Sequence, residues 1–301
     1  ITPLLDDNWE INGFKSDEFL TIDSSKWVVL NKNRYPWGSG YCFSENQVSI
    51  QGGVLQLKVD KKANTDWACN QPYSQYYSGG IQSIDHNYSY GYFEIYAKLP
   101  GFYDNGNPDG KGFWPAFWTY YTEEVNGCRL VHDEIDILEP SGSQYENAKS
   151  NVCGWHDEDP NCSIDHRKMG EAVFTNSTPL FDDFHKYAAE WLLDRIIFYF
   201  DDQPFHVEYY DSTKDDLYNP VIGSKMIMEP QYIVIDQQMD GDVLINPKMP
   251  FPQYMLIDYF RYYELKNDFC DQNTTISNNV ELNNYSLGVC TVSYTHLTLP
   301  T

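Results

Sequence analysis

Hydrophobic and polar residues alternate at period two along most of this chain, up to about Leu265. Leu55, Leu57 and Val59 are interleaved with Gln56, Lys58 and Asp60. In GYFEIYAKL, Phe93, Ile95, Ala97 and Leu99 make one face and Tyr92, Glu94, Tyr96 and Lys98 the other. Similar short runs recur at RIIFYFDD, YIVIDQQM and YMLIDYFRYY, punctuated by QGG, GFYDNGNPDGKG and LLDR. Alternation bounded by turn residues predicts half-buried strands, and no long segment sustains a helical period. Many short strands with frequent turns predict an all-β sandwich or jelly roll.

One run departs from clean alternation. In HDEIDILEP, residues 132–140, Ile135 and Ile137 face one way and Glu134 and Asp136 the other. Continued alternation would put Leu138 beside the acids and turn Glu139 into the core, where an unpaired carboxylate is very costly. An extra residue near Ile137–Leu138, a β-bulge, would bring Glu139 back to the face of Glu134 and Asp136. Three carboxyls in a row suit glycoside cleavage with retention, in which two carboxyls stand about 5–5.5 Å apart. One attacks the anomeric carbon, and the other protonates the leaving oxygen and then activates water. Crowded carboxyls push their pKa values apart, so one stays ionised beside a protonated neighbour. The middle acid, Asp136, is placed to hydrogen-bond and tune the nucleophile.

Composition narrows the field. The net charge of −24 disfavours nucleic acid, whose phosphates need a Lys/Arg surface, and mildly disfavours polysulfated substrates. The 25 Tyr, 16 Phe and 8 Trp suit a packed β core and offer flat faces to sugar rings. No stretch approaches the roughly 20 apolar residues of a membrane helix. The chain begins ITPLLDDNWE without a visible signal peptide, which reads as a trimmed or mature start. The cysteines are Cys42, Cys69, Cys128, Cys153, Cys162, Cys270 and Cys290, an odd count, and together with the sequons at Asn176 and Asn273 they lean toward an oxidising compartment.

The chain resembles glycoside hydrolase family 16, in its laminarinase-like branch. EIDILE matches the E-x-D-x-x-E signature. SDEFLTIDSSKW (16–27), YSGGIQS (77–83), YSYGYFEIYAKLPG (88–101), FWPAFWTYY (113–121), FHKYAAEWLLDRIIFYFDD (184–202) and MLIDYFRYYEL (255–265) resemble the family's strands in order and spacing, over about residues 14–266. The resemblance implies a β-jelly-roll sandwich of two curved antiparallel sheets with an open substrate cleft. It implies Glu134 as nucleophile, Asp136 as assisting acid and Glu139 as acid/base. It places Trp114 and Trp118 near the cleft, Trp118 being equally suited to the core, and Trp155 and His156 at subsites. Tyr92 or Tyr96 stands where the family frequently has Arg, in a substrate-contact region, and DQQMDGD (236–242) replaces its usual Gly-rich turn; both leave the exact glycan open. No cofactor is implied for catalysis. A structural Ca2+ is implied on the convex side, at Glu18, the carbonyl of Gly53, and Asp258.

The expectations are these. Residues 1–266 form the catalytic domain of a retaining endo-glycosidase acting on β-1,3- or mixed-linkage β-1,3-1,4-glucan. Its partner is a polysaccharide, with no nucleic acid and no membrane span, and it is expected to be a monomer outside the cytoplasm, because a polymer does not enter cells uncut. Residues 267–291 open a further module or tail. Residues 292–301, VSYTHLTLPT, resemble a translated sequencing adapter, so the gene is expected to continue past Thr291. A galactan hydrolase of agar or carrageenan type and a non-catalytic glucan-binding module are the alternatives. Cys153, His156, Cys162 and His166 have zinc-like spacing but read as loop thiols or a disulfide, and NGNPDG (105–110) lacks the final Glu of a calcium loop and reads as a solvated hairpin turn.

Overall fold

The computed structural model describes residues 9–31, 41–62, 75–125, 128–141, 144–156, 167–192, 195–209, 230–240 and 245–266. The expectations for 267–291 and 292–301, and for Cys162, His166 and Asn273, fall outside them. The strands, in chain order, are β1 (Trp9–Ile11), β2 (Trp27–Val29), β3 (Tyr41–Phe43), β4 (Val48–Gln51), β5 (Val54–Lys61), β6 (Tyr76–Ser78) and β7 (Gly80–Ser83). They continue with β8 (Gly91–Lys98), β9 (Phe102–Asp104), β10 (Asn107–Asp109), β11 (Phe113–Val125), β12 (Cys128–Ser141) and β13 (Gln144–His156). The last are β14 (Arg167–Thr175), β15 (His185–Trp191), β16 (Arg195–Phe200), β17 (Gln203–Tyr209), β18 (Tyr232–Met239) and β19 (Gln253–Leu265).

Two large sheets carry most of them. One runs β17-β16-β15-β8-β19-β5-β6-β3, with β1 added to β19 and β4 to β5. The other runs β14-β13-β12-β11-β18-β7-β2. Pairings are antiparallel except β3 with β6. NGNPDG is the turn and second strand of the small β9–β10 hairpin, as its composition predicts.

The period-two pattern explains why the sheets close on each other. Leu55, Leu57, Phe93, Ile95, Ala97, Met255, Ile257 and Phe260 of the first sheet share one buried cluster with Ile81, Phe117, Ile135, Val152, Ile233 and Ile235 of the second. Each such side chain contributes roughly 1.5–3 kcal/mol when removed from water. Apolar burial on facing strand faces therefore fixes the register of every central strand.

β12 is the exception that the sequence anticipated. Opposite β11, Trp118 pairs with Asp136 but Phe117 pairs with Leu138. Opposite β13, Asp136 pairs with Asn151 and Glu139 with Lys149. One residue is therefore extra between Asp136 and Glu139, and Ile137 and Leu138, although consecutive, both enter the same core. The energetics favour this. Burying both costs one interrupted ladder position, on the order of 1 kcal/mol, and gains roughly 3–6 kcal/mol of apolar burial. The regular alternative would expose Leu138 and bury Glu139.

A chain lacking Ile137 should restore regular pairing, with Leu138 inward and Glu139 still opposite Lys149. We expect it to fold with a stability loss of roughly 2–5 kcal/mol from the missing side chain and to keep measurable activity. Denaturant midpoints together with an assay on β-glucan check this; a folded but wholly inactive protein would show that the bulge itself is needed.

Candidate active site

The face of the seven-stranded sheet that points away from the core carries the acids. Cross-strand register sets them in rows. Glu134 stands between Tyr120 on β11 and Cys153 on β13, and Asp136 between Trp118 and Asn151. Past the bulge, Glu139 lies opposite Lys149, whose ammonium is 3.0 Å from Oε2. Trp114, farther along β11, donates its indole Nε1–H to Oε1 of Glu139 at 3.1 Å and remains 36% exposed. Glu139 is thus on the outer face with Glu134 and Asp136. All three predicted acids come together.

Their environments differ in the way acid/base chemistry requires. Asp136 is buried, and its carboxyl is pushed well above the usual carboxylate range. Burial is the largest cause, followed by the charges of Glu134 and Glu139 and by its hydrogen bond to Glu134; the Asn151 amide, donating to Oδ2 at 3.1 Å, opposes the shift. Asp136 is therefore the carboxyl of this group whose ionised form is most disfavoured, and it shares a hydrogen bond with Glu134. Glu134 also receives His132 Nε2 at 3.0 Å on Oε2. A second buried carboxyl, Asp236 on β18, is raised to about 7, chiefly by burial, while the Gln238 amide pulls it down. Gly80 on β7 leaves room for it, since a Cβ there would stand 2.7 Å from the Asp236 Cβ.

Oxygens of Glu134 and Asp136 and the Cys153 sulfur lie within 4.8 Å of one another. A cation there would have to displace the protons that burial favours on Asp136 and Cys153. Burial, followed by the charges of Asp136 and Glu134, pushes the Cys153 thiol up to about 12. Metal ligands must be deprotonated. Cys153 is a free thiol and Cys42 is disulfide-bonded.

The other expected residues divide. Trp118 lies half-buried on the site face, its ring stacked on Tyr120 at 5.1 Å and packed against the cluster of Phe113, Val234 and Met249. It is a wall of the site's floor more than a free sugar platform. The backbones of Trp155 and His156 pair with His132 and Val131, beside the acids, and their side chains lie outside the described set. Tyr92 is a correction. It belongs to β8 in the other sheet and points away from the acids into a cluster with Trp9, Leu192, Ile197 and Tyr199, fully buried. Alternation was read correctly there, but the polar-looking face is covered, so Tyr92 contacts no substrate.

The cation set is corrected in part. The Asp17–Phe260 bridge and the Leu55–Ile257 pair bring Glu18, Gly53 and Asp258 to neighbouring positions. The Glu18 carboxylate, however, is gripped by Arg261, with Nε to Oε1 at 2.7 Å and Nη2 to Oε2 at 3.0 Å. Both of its oxygens accept from Arg261, a contact that a Ca2+ ion would have to share or displace.

Several participants escaped the sequence reading. Lys149 and Asn151 alternate with Ser150 and Val152, a period-two cue beside the acid strand, and Cys153, which the sequence suggests is a loop or disulfide thiol, is a buried free thiol on β13. His132 shares the face of Glu134 by the same rule. Asp236 interrupts the apolar run Ile233-Val234-Ile235, where a buried acid calls for a partner or a proton.

Comparison with known proteins agrees with this geometry. The family model described as glycosyl hydrolases family 16 matches residues 38–235. The chain is 28% identical over 269 residues to the glucan endo-1,3-beta-glucosidase A1 of Niallia circulans, covering 82% of this chain and 37% of that protein. It is 26% identical over 275 residues to the beta-glucanase of Rhodothermus marinus, covering 85% of each. The fold matches the laminarinase catalytic domain from Thermotoga maritima MSB8 with a TM-score of 0.66 at 23% identity, over 87% of this chain and 100% of that one. This chain thus spans well under half the length of the first of these relatives.

Asp236 gives a pH test. Its folded pKa, about 7, is raised above the unfolded value, so the native state holds an extra proton between roughly pH 4 and 7 and loses stability as pH rises through that window. Asp236→Asn should therefore be more stable than wild type at pH 8, by a few kcal/mol, with the gap closing toward pH 4. Denaturation curves at both pH values measure it, and a constant gap would refute it.

Proposed function

The chain belongs to glycosyl hydrolase family 16, and from that premise we propose that it is a retaining endo-glycosidase for β-1,3- or mixed-linkage β-1,3-1,4-glucan. The observation that carries the reading is the bulge at Ile137, which puts Glu139 on the same face as Glu134 and its buried neighbour Asp136.

The chemistry requires Glu134 ionised and Glu139 protonated when the substrate is engaged. Glu134, ionised and held by Asp136 and His132, attacks the anomeric carbon. Glu139 gives a proton to the glycosidic oxygen, and the leaving saccharide departs with it. The glycosyl–Glu134 ester is then opened by water, whose proton passes to Glu139, and the Glu134 carboxylate is restored. The indole of Trp114 and the ammonium of Lys149 fix the two oxygens of Glu139 between opposite strands. The exposed Trp114 ring offers a stacking face for a sugar. The glucan preference is supported by the names of the two relatives, an endo-1,3-beta-glucosidase and a beta-glucanase.

We also place the protein outside the cytoplasm, a reading supported by the disulfide at Cys42 and by polymer size. A structural Ca2+ is assigned to the Gly53 carbonyl and the exposed carboxylate of Asp258, with the Glu18 side chain left to Arg261.

Glu134→Gln should lower kcat on laminarin by at least ~1,000-fold, on the scale of losing a covalent catalyst, while oligosaccharide binding persists. Product analysis on laminarin, mixed-linkage glucan, agarose and carrageenan identifies the substrate; cleavage of a galactan alone would replace the glucan reading. Binding by wild type and mutant without any cleavage would leave a recognition module. For the cation, EDTA should lower Tm by roughly 5 °C, Ca2+ should restore it, and Asp258→Ala should abolish the response; an unmoved Tm removes the site.

A further inference from the structure

A carboxylate nucleophile has a loose terminal torsion, because rotation about χ3 of Glu is broad. Attack in line with a departing oxygen therefore requires that something fix the plane of the Glu134 carboxyl. Asp136 supplies one hydrogen bond. His132 is placed to supply another. It precedes Glu134 by two residues on β12, so both side chains rise from the same face, and its Nε2 lies 3.0 Å from Oε2 of Glu134. Its other ring nitrogen, Nδ1, lies 2.6 Å from Oγ1 of Thr122, the residue directly opposite on β11. The imidazole is buried and stacks near-parallel to Tyr120, with centroids 6.0 Å apart and planes 22° apart.

Proton bookkeeping defines the ring's state toward Glu134. An ionised carboxylate only accepts, so Nε2 must carry a hydrogen. The Thr122 hydroxyl both donates and accepts. It gives its proton to Nδ1 of the neutral ring, or receives one from the imidazolium, and in either state Nε2–H stays aimed at Glu134. Without that hydroxyl the neutral ring is free to take the other tautomer, which sets a nitrogen lone pair against the carboxylate.

We propose that Thr122 and His132 are positioning residues for the catalytic nucleophile: Thr122 selects the imidazole tautomer, and His132 holds the attacking plane of Glu134. The inference rests on the reading of Glu134 as nucleophile. His132 is buried and both residues act through Glu134, so their loss should fall on the bond-forming and bond-breaking steps with glucan binding retained. Misplacement of a reacting group by about 1 Å costs on the order of 100-fold.

The test uses His132→Leu, His132→Gln and Thr122→Val in the whole chain, with kcat and KM on laminarin and Tm for each, beside Glu134→Ala assayed with and without sodium azide. His132→Leu should lower kcat ~10–100-fold with KM within ~3-fold of wild type. Thr122→Val should fall in the same direction by a smaller factor. His132→Gln, which keeps an N–H donor near the Nε2 position, should recover most of the loss. Wild-type kcat in His132→Leu would overturn the proposal. So would equal losses in the Leu and Gln variants with KM rising in step, which marks a general disturbance of the site. Should His132→Leu fail to fold, Thr122→Val decides: unchanged kcat there overturns it. Azide-dependent recovery of Glu134→Ala, giving a glycosyl azide of inverted configuration, upholds the nucleophile independently. Full activity of Glu134→Ala without azide would remove that premise and the proposal with it.

Discussion

Three carboxyl groups crowd one half-buried strand face, and the one the sheet buries most, Asp136, is the one whose ionised form is most disfavoured. Its burial and the charges of Glu134 and Glu139 push in one direction, and Asn151 restrains the shift without reversing it. Asp136 and Glu134 share a hydrogen bond. The division of roles among chemically similar groups follows from which of them the sheet buries.

The sheet can bury Asp136 and still display Glu139 because the bulge separates the two faces cleanly. Inward, Ile137 and Leu138 join Phe117, Ile135 and the opposing sheet. Outward, Glu139 meets a cation from β13 and an indole from β11, each on a strand whose position is fixed by the same core. The precision of the site is thus the precision of β-pairing. Rigid strands, not loops, carry all three acids together with His132, Lys149 and Trp114.

The ten-stranded sheet supplies the counterweight. Its outer face is also largely buried, as Tyr92, Glu94 and Ala188 have no exposure. Burial raises the Glu94 carboxyl, with Lys186 and Arg261 partly compensating. Arg261 lies over the Tyr259 ring at 3.7 Å while gripping Glu18. This side stabilises the sandwich through packing and paired charge, with Tyr92 sealed in its core and Glu18 held by Arg261.

The sequence by itself determined the strand pattern, the inward faces of β5, β8 and β12, and the need for a bulge after Asp136. Each of these follows from local rules: alternation at period two, and the cost of turning Glu139 inward. It also made the three acids legible as one group, because they lie within six consecutive residues. Tertiary structure alone decided which second face is covered. Tyr92 and Trp114 both read as aromatic residues on strands, yet one is sealed and the other is 36% exposed, since exposure depends on what packs above a sheet. It alone paired Glu18 with Arg261, 243 residues away along the chain. It likewise assembled Thr122, His132, Lys149 and Asn151 around the acids, since contacts between strands are set by register, which no single strand's sequence contains.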